Sequence, residues 1–322
     1  MMNVFLTSVS SVLVIVLLMA LGYVLRKKGW FADDFGANVA ALITKIALPA
    51  SIFMGVMNHL TKEKLLSLGT GLIFPAVSVI IGYLIAFFAV KFFKIRPGRR
   101  GVFMNAVVNA NTIFIGMPLN NALFGEKAMS FFLVYYIINT VSTWAFGVFL
   151  IQNDDPTETA SKAKPKFNWK KLLPMPLVGF IIAIIWLLTD APVPSVMNQT
   201  LSYVGSLVTP LSLIYIGIVL CDAGLGNVKF ERDSILALIG RFILSPLILI
   251  LLIKAGASHG FVLPVLMNKT LVVQSATPML AVLPILAKEA HGDVEYATNV
   301  VVLSTLSFVA VVPILMTVLQ FI

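Results

Sequence analysis

Charged residues are scarce in this chain. Of its 322 residues only 11% are Asp, Glu, Lys or Arg, less than half of the roughly 25% found in soluble domains, whereas 59% are hydrophobic. A water-soluble surface cannot be built from this composition, which excludes soluble enzymes, nucleic-acid-binding domains and disulfide-rich secreted modules. The apolar residues come in repeated blocks of about 17 to 25, each long enough to cross a hydrocarbon core of about 30 Å as a helix. The composition therefore predicts an all-α polytopic membrane protein embedded in the lipid bilayer.

Cysteine and catalytic motifs are also nearly missing. A single cysteine, Cys221, leaves no partner for an intrachain disulfide and excludes a four-cysteine metal site. The sequence has no H-E-x-x-H, no G-x-S-x-G and no phosphate-binding glycine loop. Its three histidines, His59, His259 and His291, are far apart in sequence and fall in predicted loops. We therefore expect no enzyme activity, no metal site and no cofactor.

Ten apolar runs, separated by charged or Pro-, Gly- and Asn-rich breaks, predict ten transmembrane helices. They cover approximately residues 3–25, 36–57, 67–91, 101–123, 128–151, 174–189, 198–221, 234–253, 261–287 and 295–320. The connections that follow odd-numbered helices carry 16 Lys and Arg residues, and those that follow even-numbered helices carry four. By the positive-inside rule the first group is cytoplasmic. This predicts a multi-pass protein of the cell (inner) membrane with both termini outside.

The longest polar stretch divides the chain into two halves of five helices. We predict a first five-helix repeat at 1–151, a cytoplasmic linker at 152–173 and a second repeat at 174–322. Because five is odd, the two halves must enter the membrane from opposite sides, which is the topology of an inverted repeat. Parallel motifs support this, since Ala110–Pro118 resembles Ala276–Pro284.

The fourth and ninth predicted helices are the least lipid-like of the ten. Proline removes a backbone donor and clashes with the preceding turn, so such helices persist in a membrane only where protein or a water-filled cavity satisfies the freed groups. Two broken helices at equivalent places would cross near the midplane, with half-helix N-termini that attract anions. An alternative remains, in which the polar side chains bond neighbouring helices and the prolines only bend them. The predicted substrate donors are Asn109, Asn111, Thr112, Gln274, Ser275 and Thr277, and the residues that shape the crossover are Gly116, Pro118 and Pro278.

Three cations fall within or near predicted spans. Lys45 lies one turn before Pro49, and its distance from the cytoplasmic end favours a deep position that adds positive potential near the path. Arg241 and Lys269 lie nearer to span ends, where long cationic side chains usually extend to the interface. No Asp or Glu falls convincingly inside a span. This argues against an antiporter with a buried carboxylate and leaves an anionic substrate unopposed.

Five segments resemble the auxin efflux carrier family, which includes bacterial permeases related to the plant PIN auxin transporters. They are Leu21–Gly29, Ala47–Phe53, Asn109–Pro118, Pro210–Gly217 and Pro278–Glu289. The resemblance runs across the whole chain, and the short linker is similar to that of the bacterial members. It implies secondary transport of organic anions, with malate and malonate among the substrates of bacterial members.

The same resemblance implies a fold similar to that of the bile acid sodium symporters. Helices 1, 2, 6 and 7 would form a scaffold, which often forms a homodimer, and helices 3–5 and 8–10 would form a moving transport domain. Asn109, Asn111 and Thr112 match the fourth-helix crossover of the plant proteins, and Pro278 matches the ninth-helix crossover proline. Ala110 stands where the plant motif has proline. The carboxylate pair of some plant members has no match in the third helix, which leaves proton coupling open.

The sequence thus predicts a secondary transporter of mono- or dicarboxylates, working by elevator-type alternating access with the substrate at the crossover of helices 4 and 9. One alternative is a sodium-coupled organic anion symporter, whose ion would be held by groups such as Ser304 and Thr305. Another is a membrane anion sensor, although the chain has no soluble output domain. A channel is a third. No nucleic-acid partner is expected.

Overall fold

The computed structural model describes residues 2–156 and 175–320, and every regular element in those residues is helical. Most of the predicted linker, residues 157–173, lies outside the described part. The helices, labelled in chain order, are α1 Met2–Lys27, α2 Phe35–His59, α3 Lys62–Phe92, α4a Arg100–Val108, α4b Thr112–Phe124, α5 Glu126–Gln152, α6 Met175–Thr189, α7 Ser195–Ala223, α8 Arg232–Ser258, α9a Val265–Ser275, α9b Leu283–Glu289 and α10 Val294–Val318.

Six helices in the described residues are long and apolar enough to cross a membrane. They are α2, α5, α7, α8, α10 and the Gly69–Phe92 part of α3. The predicted fourth and ninth spans are each divided by non-helical backbone, at residues 109–111 and 276–282. Each of the resulting pieces is too short to cross a bilayer alone, since a span needs about 20 residues. The chain is an all-helical, multi-pass membrane protein, as its composition predicts.

Wide π-helical turns interrupt three helices just before a proline. The turns are Ile43–Ala47 before Pro49 in α2, Thr112–Gly116 before Pro118 in α4b, and Gly240–Leu244 before Pro246 in α8. A proline has no N–H and its ring clashes with the carbonyl four residues earlier. The wider turn relieves that clash, so the helices continue through their prolines.

Glycines allow α1, α2, α6 and α7 to pack closely. A Cβ on Gly22 of α1 would overlap the Ile214 carbonyl of α7, and one on Gly217 of α7 would overlap the Met19 carbonyl of α1. A Cβ on Gly179 of α6 would lie 2.8 Å from the Cα of Pro49 in α2. Small residues at such contacts let helix backbones approach each other in a membrane, where no hydrophobic effect drives helix association.

The connections fall at two ends of the molecule. At one end the N–H of Asp293 donates to the carbonyl of Gly98 at 3.0 Å, and Arg99 donates to Asp293 and to Glu231. At the other end Lys62 pairs with Asp190 and His59 lies 3.5 Å from Glu126. Three connections that follow odd-numbered predicted helices meet at the first end, and three that follow even-numbered ones meet at the second.

Candidate functional site

The two breaks in the helices touch each other. The N–H of Asn111, in the break between α4a and α4b, donates to the carbonyl of Pro278, in the break between α9a and α9b, at 2.8 Å. Ala110 and Met279 form an isolated antiparallel bridge beside that bond. The freed backbone groups of one break are thus partly satisfied by the other, as the membrane interior requires.

The α4 break contains no proline and is held by a side chain of α5. Asn139 accepts the N–H of Ala110 at 2.8 Å with its Oδ1 and donates to the Ala110 carbonyl at 2.9 Å with its Nδ2. One amide side chain therefore bonds both backbone groups of Ala110, whose carbonyl also accepts the N–H of Thr112 at 2.9 Å. Asn139 is not among the predicted site residues, although a polar side chain in the middle of the fifth apolar run was a signal for it.

Asn109 lies in a network that uses both ends of its amide. Its Nδ2 donates to Tyr83 at 2.7 Å and to Asn105 at 2.8 Å, and its Oδ1 accepts from Ser142 at 2.6 Å. Asn105 in turn donates to the carbonyl of Gly147 at 2.8 Å. The geometry gives Asn109 a supporting position, because binding a substrate would require it to break these bonds.

Asn111 caps α4b and keeps one donor free. Its Oδ1 accepts the N–H of Phe114 at 3.2 Å, which satisfies one of the unpaired donors at a helix start. Its Nδ2 is buried and has no hydrogen-bond partner among the described residues. Thr112, the first residue of α4b, is also buried and receives only a long 3.5 Å contact from Asn139. Asn111 and Thr112 are thus the predicted donors with the most free capacity.

The predicted donors of the ninth helix are turned back on their own chain. Ser275 donates to the carbonyl of Val272 at 2.7 Å, and Thr277 donates to the carbonyl of Gln274 at 2.9 Å. Gln274 crosses to the other broken helix and donates to the carbonyl of Gly116 at 2.9 Å. A Cβ on Gly116 would overlap the Gln274 Oε1. Gly116 therefore shapes the crossover by admitting the Gln274 amide.

The remaining residues of the crossover support its backbone. Pro118 is buried in α4b, two residues beyond the π-helical segment. Pro278 supplies the carbonyl that Asn111 binds. Ser304 of α10 accepts the N–H of Met279 at 3.1 Å and donates to the carbonyl of Val301 at 3.0 Å, while Thr305 donates to the same carbonyl at 2.8 Å.

A cavity of about 80 Å³ opens at the start of α4b. Its lining combines polar groups of the break and of α5 with the backbone that leads into α9b, and includes Asn111, Thr112, Asn139, Thr140, Thr143 and Ala281. The volume is enough for several water molecules or a carboxylate group. Asn109, Gln274, Ser275 and Thr277 do not line this cavity.

The structure distributes the three membrane cations differently from the sequence prediction. Lys45 is exposed on the π-helical turn of α2 and is not brought to the crossover. Lys269 is half-buried in α9a. Arg241 is completely buried and donates to the carbonyls of Val107 and Ser275. The expectation that Arg241 extends to the interface is wrong, because the side chain turns inward to the ends of α4a and α9a.

A crevice of about 510 Å³ lies at the end of the molecule that carries Arg99. It separates the end of α7, at Asp222 and Gly224, from the starts of α8 and α10. Lys229 and Glu295 line it and pair at 2.5 Å. The hydrogen bond that Lys229 donates to the Glu295 carboxylate raises the pKa of Lys229, so this lysine stays charged.

Comparison with known sequences places these features in context. A family model described as a membrane transport protein matches residues 7–316. An uncharacterized transporter of Methanothermobacter thermautotrophicus is 23% identical over 310 residues, which cover 94% of this chain and 95% of the relative. An uncharacterized transporter of Methanocaldococcus jannaschii is 22% identical over 306 residues, which cover 93% and 95%.

Proposed function

The chain belongs to the membrane transport protein family, and we propose that it is a secondary carrier of small organic anions, mono- or dicarboxylates such as malate or malonate. The observation that carries the proposal is the contact between the two broken helices, from the Asn111 N–H to the Pro278 carbonyl. Backbone of this kind is tolerated inside a membrane only where it is enclosed by protein or lines a cavity. The cavity at the start of α4b is the natural place for the substrate.

The electrostatics of the crossover favour an anion. The 13 residues of α4b present their N-terminus, and hence the positive end of a helix dipole, to the cavity. The free Nδ2 of Asn111 adds a donor, and Arg241 adds a full charge behind the break. Within the described residues the carboxylate side chains lie at helix ends and in connections. An anion at the crossover therefore meets attraction without a compensating negative group.

The geometry divides the predicted site residues into two groups. Asn111 and Thr112 line the cavity and would donate to the substrate carboxylate, and Thr140 lines the cavity beside them. Asn109, Gln274, Ser275 and Thr277 would hold the two breaks in shape, since each side chain already bonds another group of the protein, although the Oε1 of Gln274 has no partner among the described residues.

We further propose that α1, α2, α6 and α7 form a fixed scaffold, against which the remaining helices move in an elevator-type cycle. The close glycine contacts between α1 and α7 support a rigid scaffold. Both broken helices belong to the moving part, and the whole would be ten spans in two inverted repeats. The end that carries Arg99 and the open crevice, here called the cation-rich end, would face the cytoplasm. At the opposite end Lys62–Asp190 and His59–Glu126 connect scaffold to moving part, as expected of an inward-open state.

Counterflow with purified protein tests the function. Liposomes preloaded with unlabelled malate, malonate or L-lactate would accumulate the same labelled anion if the protein is a carrier of that class. Asn111→Ala should abolish accumulation while leaving the protein folded. Asn38→Ala, at an exposed asparagine of α2, is the matched control and should transport normally. Absence of counterflow for all three anions would contradict the proposed function.

A further inference from the structure

Arg241 is an arginine held wholly inside the protein. Its side chain is completely buried, and it lies nine residues beyond Arg232 at the start of α8, about 13 Å along the helix. A full charge at such depth is costly in a membrane and usually marks a functional position. An arginine cannot lose its proton in a protein at any physiological pH. The energy of burying Arg241 must therefore be offset by its surroundings.

Those surroundings include two helix ends. Arg241 donates to the carbonyl of Val107, in the last turn of α4a, at 3.2 Å, and to the carbonyl of Ser275, the last residue of α9a. The last carbonyls of a helix have no partner within it and form the negative end of its dipole. Arg241 thus bonds to the C-terminal ends of both broken helices at once.

Local packing in α8 directs Arg241 to this place. Gly240 lies so close to α4a that a Cβ there would be 2.6 Å from the Val107 side chain. The π-helical turn Gly240–Leu244 widens the helix at the same point. Ser245 donates to the Val107 carbonyl at 2.7 Å as well, so α8 is attached to the end of α4a by two residues.

The charge of Arg241 has no carboxylate partner among the described residues. Helix dipoles redistribute charge between the two ends of a helix but add none. The guanidinium of Arg241 therefore adds one net positive charge to the interior of the crossover region. The substrate is the group that can balance it.

We infer that Arg241 is the travelling countercharge of the carrier: the crossover loaded with a singly charged anion crosses the membrane as a neutral unit, and the empty crossover crosses as a cation. The inference rests on the proposed function, because it assumes that α4, α8 and α9 move together with the substrate. It identifies singly charged anions as the substrates whose charge Arg241 balances completely. A dianion would leave the loaded unit with one negative charge.

Charge movement can be separated from transport by comparing exchange with net uptake. At saturating anion on both sides, homoexchange cycles only through loaded carriers, whereas uptake into empty liposomes also requires the empty carrier to return. We would measure both for labelled L-lactate and labelled malonate at pH 7.5, under potassium diffusion potentials of 0, +100 and −100 mV. Lactate exchange should be insensitive to potential, whereas net lactate uptake should change severalfold. Malonate exchange should fall about threefold at 100 mV of either sign, the effect expected when one charge crosses the full field.

Two variants and a control sharpen the test. Arg241→Lys keeps the charge and should leave lactate exchange insensitive to potential. Arg241→Gln removes the charge and should make lactate exchange fall at either polarity, as malonate exchange does in the wild type. Lys269→Gln removes another cation of the moving helices, one that is half-buried, and should leave the response of lactate exchange to potential unchanged.

The wild-type comparison alone decides the inference if Arg241→Gln does not fold. Lactate exchange as sensitive to potential as net uptake would overturn the travelling countercharge and leave the carrier function intact. Absence of exchange for both anions would refute the proposed function and this inference with it.

Discussion

The side chain of Asn139 forms two hydrogen bonds with the backbone of a single residue, Ala110. It accepts the N–H at 2.8 Å and donates to the carbonyl at 2.9 Å, so it occupies the place that a neighbouring strand would take in a sheet. The family resemblance places Ala110 where the plant proteins have proline. A proline there would have no N–H to donate. In this chain an asparagine of α5 therefore keeps the break open, where the plant sequence has a ring.

Replacing Asn139 should weaken the fold as well as the site. Asn139→Leu leaves the buried N–H of Ala110 without a partner, at a cost of about 1–3 kcal/mol. It also removes one of the two donors to the Ala110 carbonyl, which keeps the N–H of Thr112. We expect a markedly lower unfolding temperature in detergent, followed by tryptophan fluorescence, and no counterflow. Asn38→Ala should leave both unchanged. An unaltered unfolding temperature for Asn139→Leu would show that another group holds the break.

Gly116 and Gln274 should be energetically coupled. A methyl group on Gly116 would overlap the Gln274 amide, which is bonded to the Gly116 carbonyl, so Gly116→Ala should abolish transport. In the double variant Gly116→Ala, Gln274→Ala the methyl group has room, and we expect part of the stability to return. Residues in contact typically show coupling of about 0.5–3 kcal/mol.

A matched glycine provides the control for that cycle. A Cβ on Gly69 of α3 would meet no atom within 4 Å, so Gly69→Ala should be neutral or slightly stabilising. Additive effects of the Gly116 and Gln274 substitutions in thermal unfolding would show that the two residues do not act together.

Much of the helical pattern could be predicted from the sequence, because long apolar runs and prolines act locally. Non-helical backbone does lie inside both the fourth and the ninth predicted spans. The partners of those breaks were not predictable. Asn139 is 29 residues from Ala110 in sequence, and a pattern of apolar residues does not reveal which polar group faces which backbone.

Arg241 shows a second limit of reading hydropathy along one helix. Its position near an end of the predicted span suggested that the side chain extends to the interface, because that is the usual behaviour of an arginine there. The π-helical turn and the contact of Gly240 with Val107 change the direction of the side chain. Those are tertiary features, and they place the charge against α4a and α9a.

Arg99 should stabilise the cation-rich end through its ion pairs. It donates to Glu231 at 2.5 Å and to Asp293 at 2.6 Å, and it lies over the Tyr296 ring. We expect Arg99→Ala to lower the stability by about 1–2 kcal/mol, a value discounted because both carboxylates are partly exposed. The stability of Arg99→Lys should fall between those of the wild type and Arg99→Ala, since an ammonium lacks the planar fork that reaches two carboxylates.

Two controls, added salt and substitution of a nearby arginine, distinguish the loss of the Arg99 ion pairs from the loss of a positive charge in general. The difference between wild type and Arg99→Ala in thermal unfolding should shrink as salt is raised, because partly exposed pairs are screened. Arg96→Ala, at an exposed arginine of the same connection, should have no effect on stability. An equal loss for both substitutions would contradict the specific role of Arg99.

The sidedness of the crevice can be tested by thiol labelling, because the chain has one native cysteine. In a Cys221→Ser background, Thr298→Cys would place a thiol in the crevice and Val196→Cys would place one at the opposite end, on a residue that is 77% exposed. If the cation-rich end is cytoplasmic, a membrane-impermeant maleimide should label Thr298→Cys in inside-out vesicles and Val196→Cys in right-side-out ones. Saturating substrate should slow labelling of Thr298→Cys if the crevice closes when the loaded carrier moves outward. The reverse labelling pattern would invert the topology, and labelling of both thiols from one side would disprove the sorting of the connections into two ends.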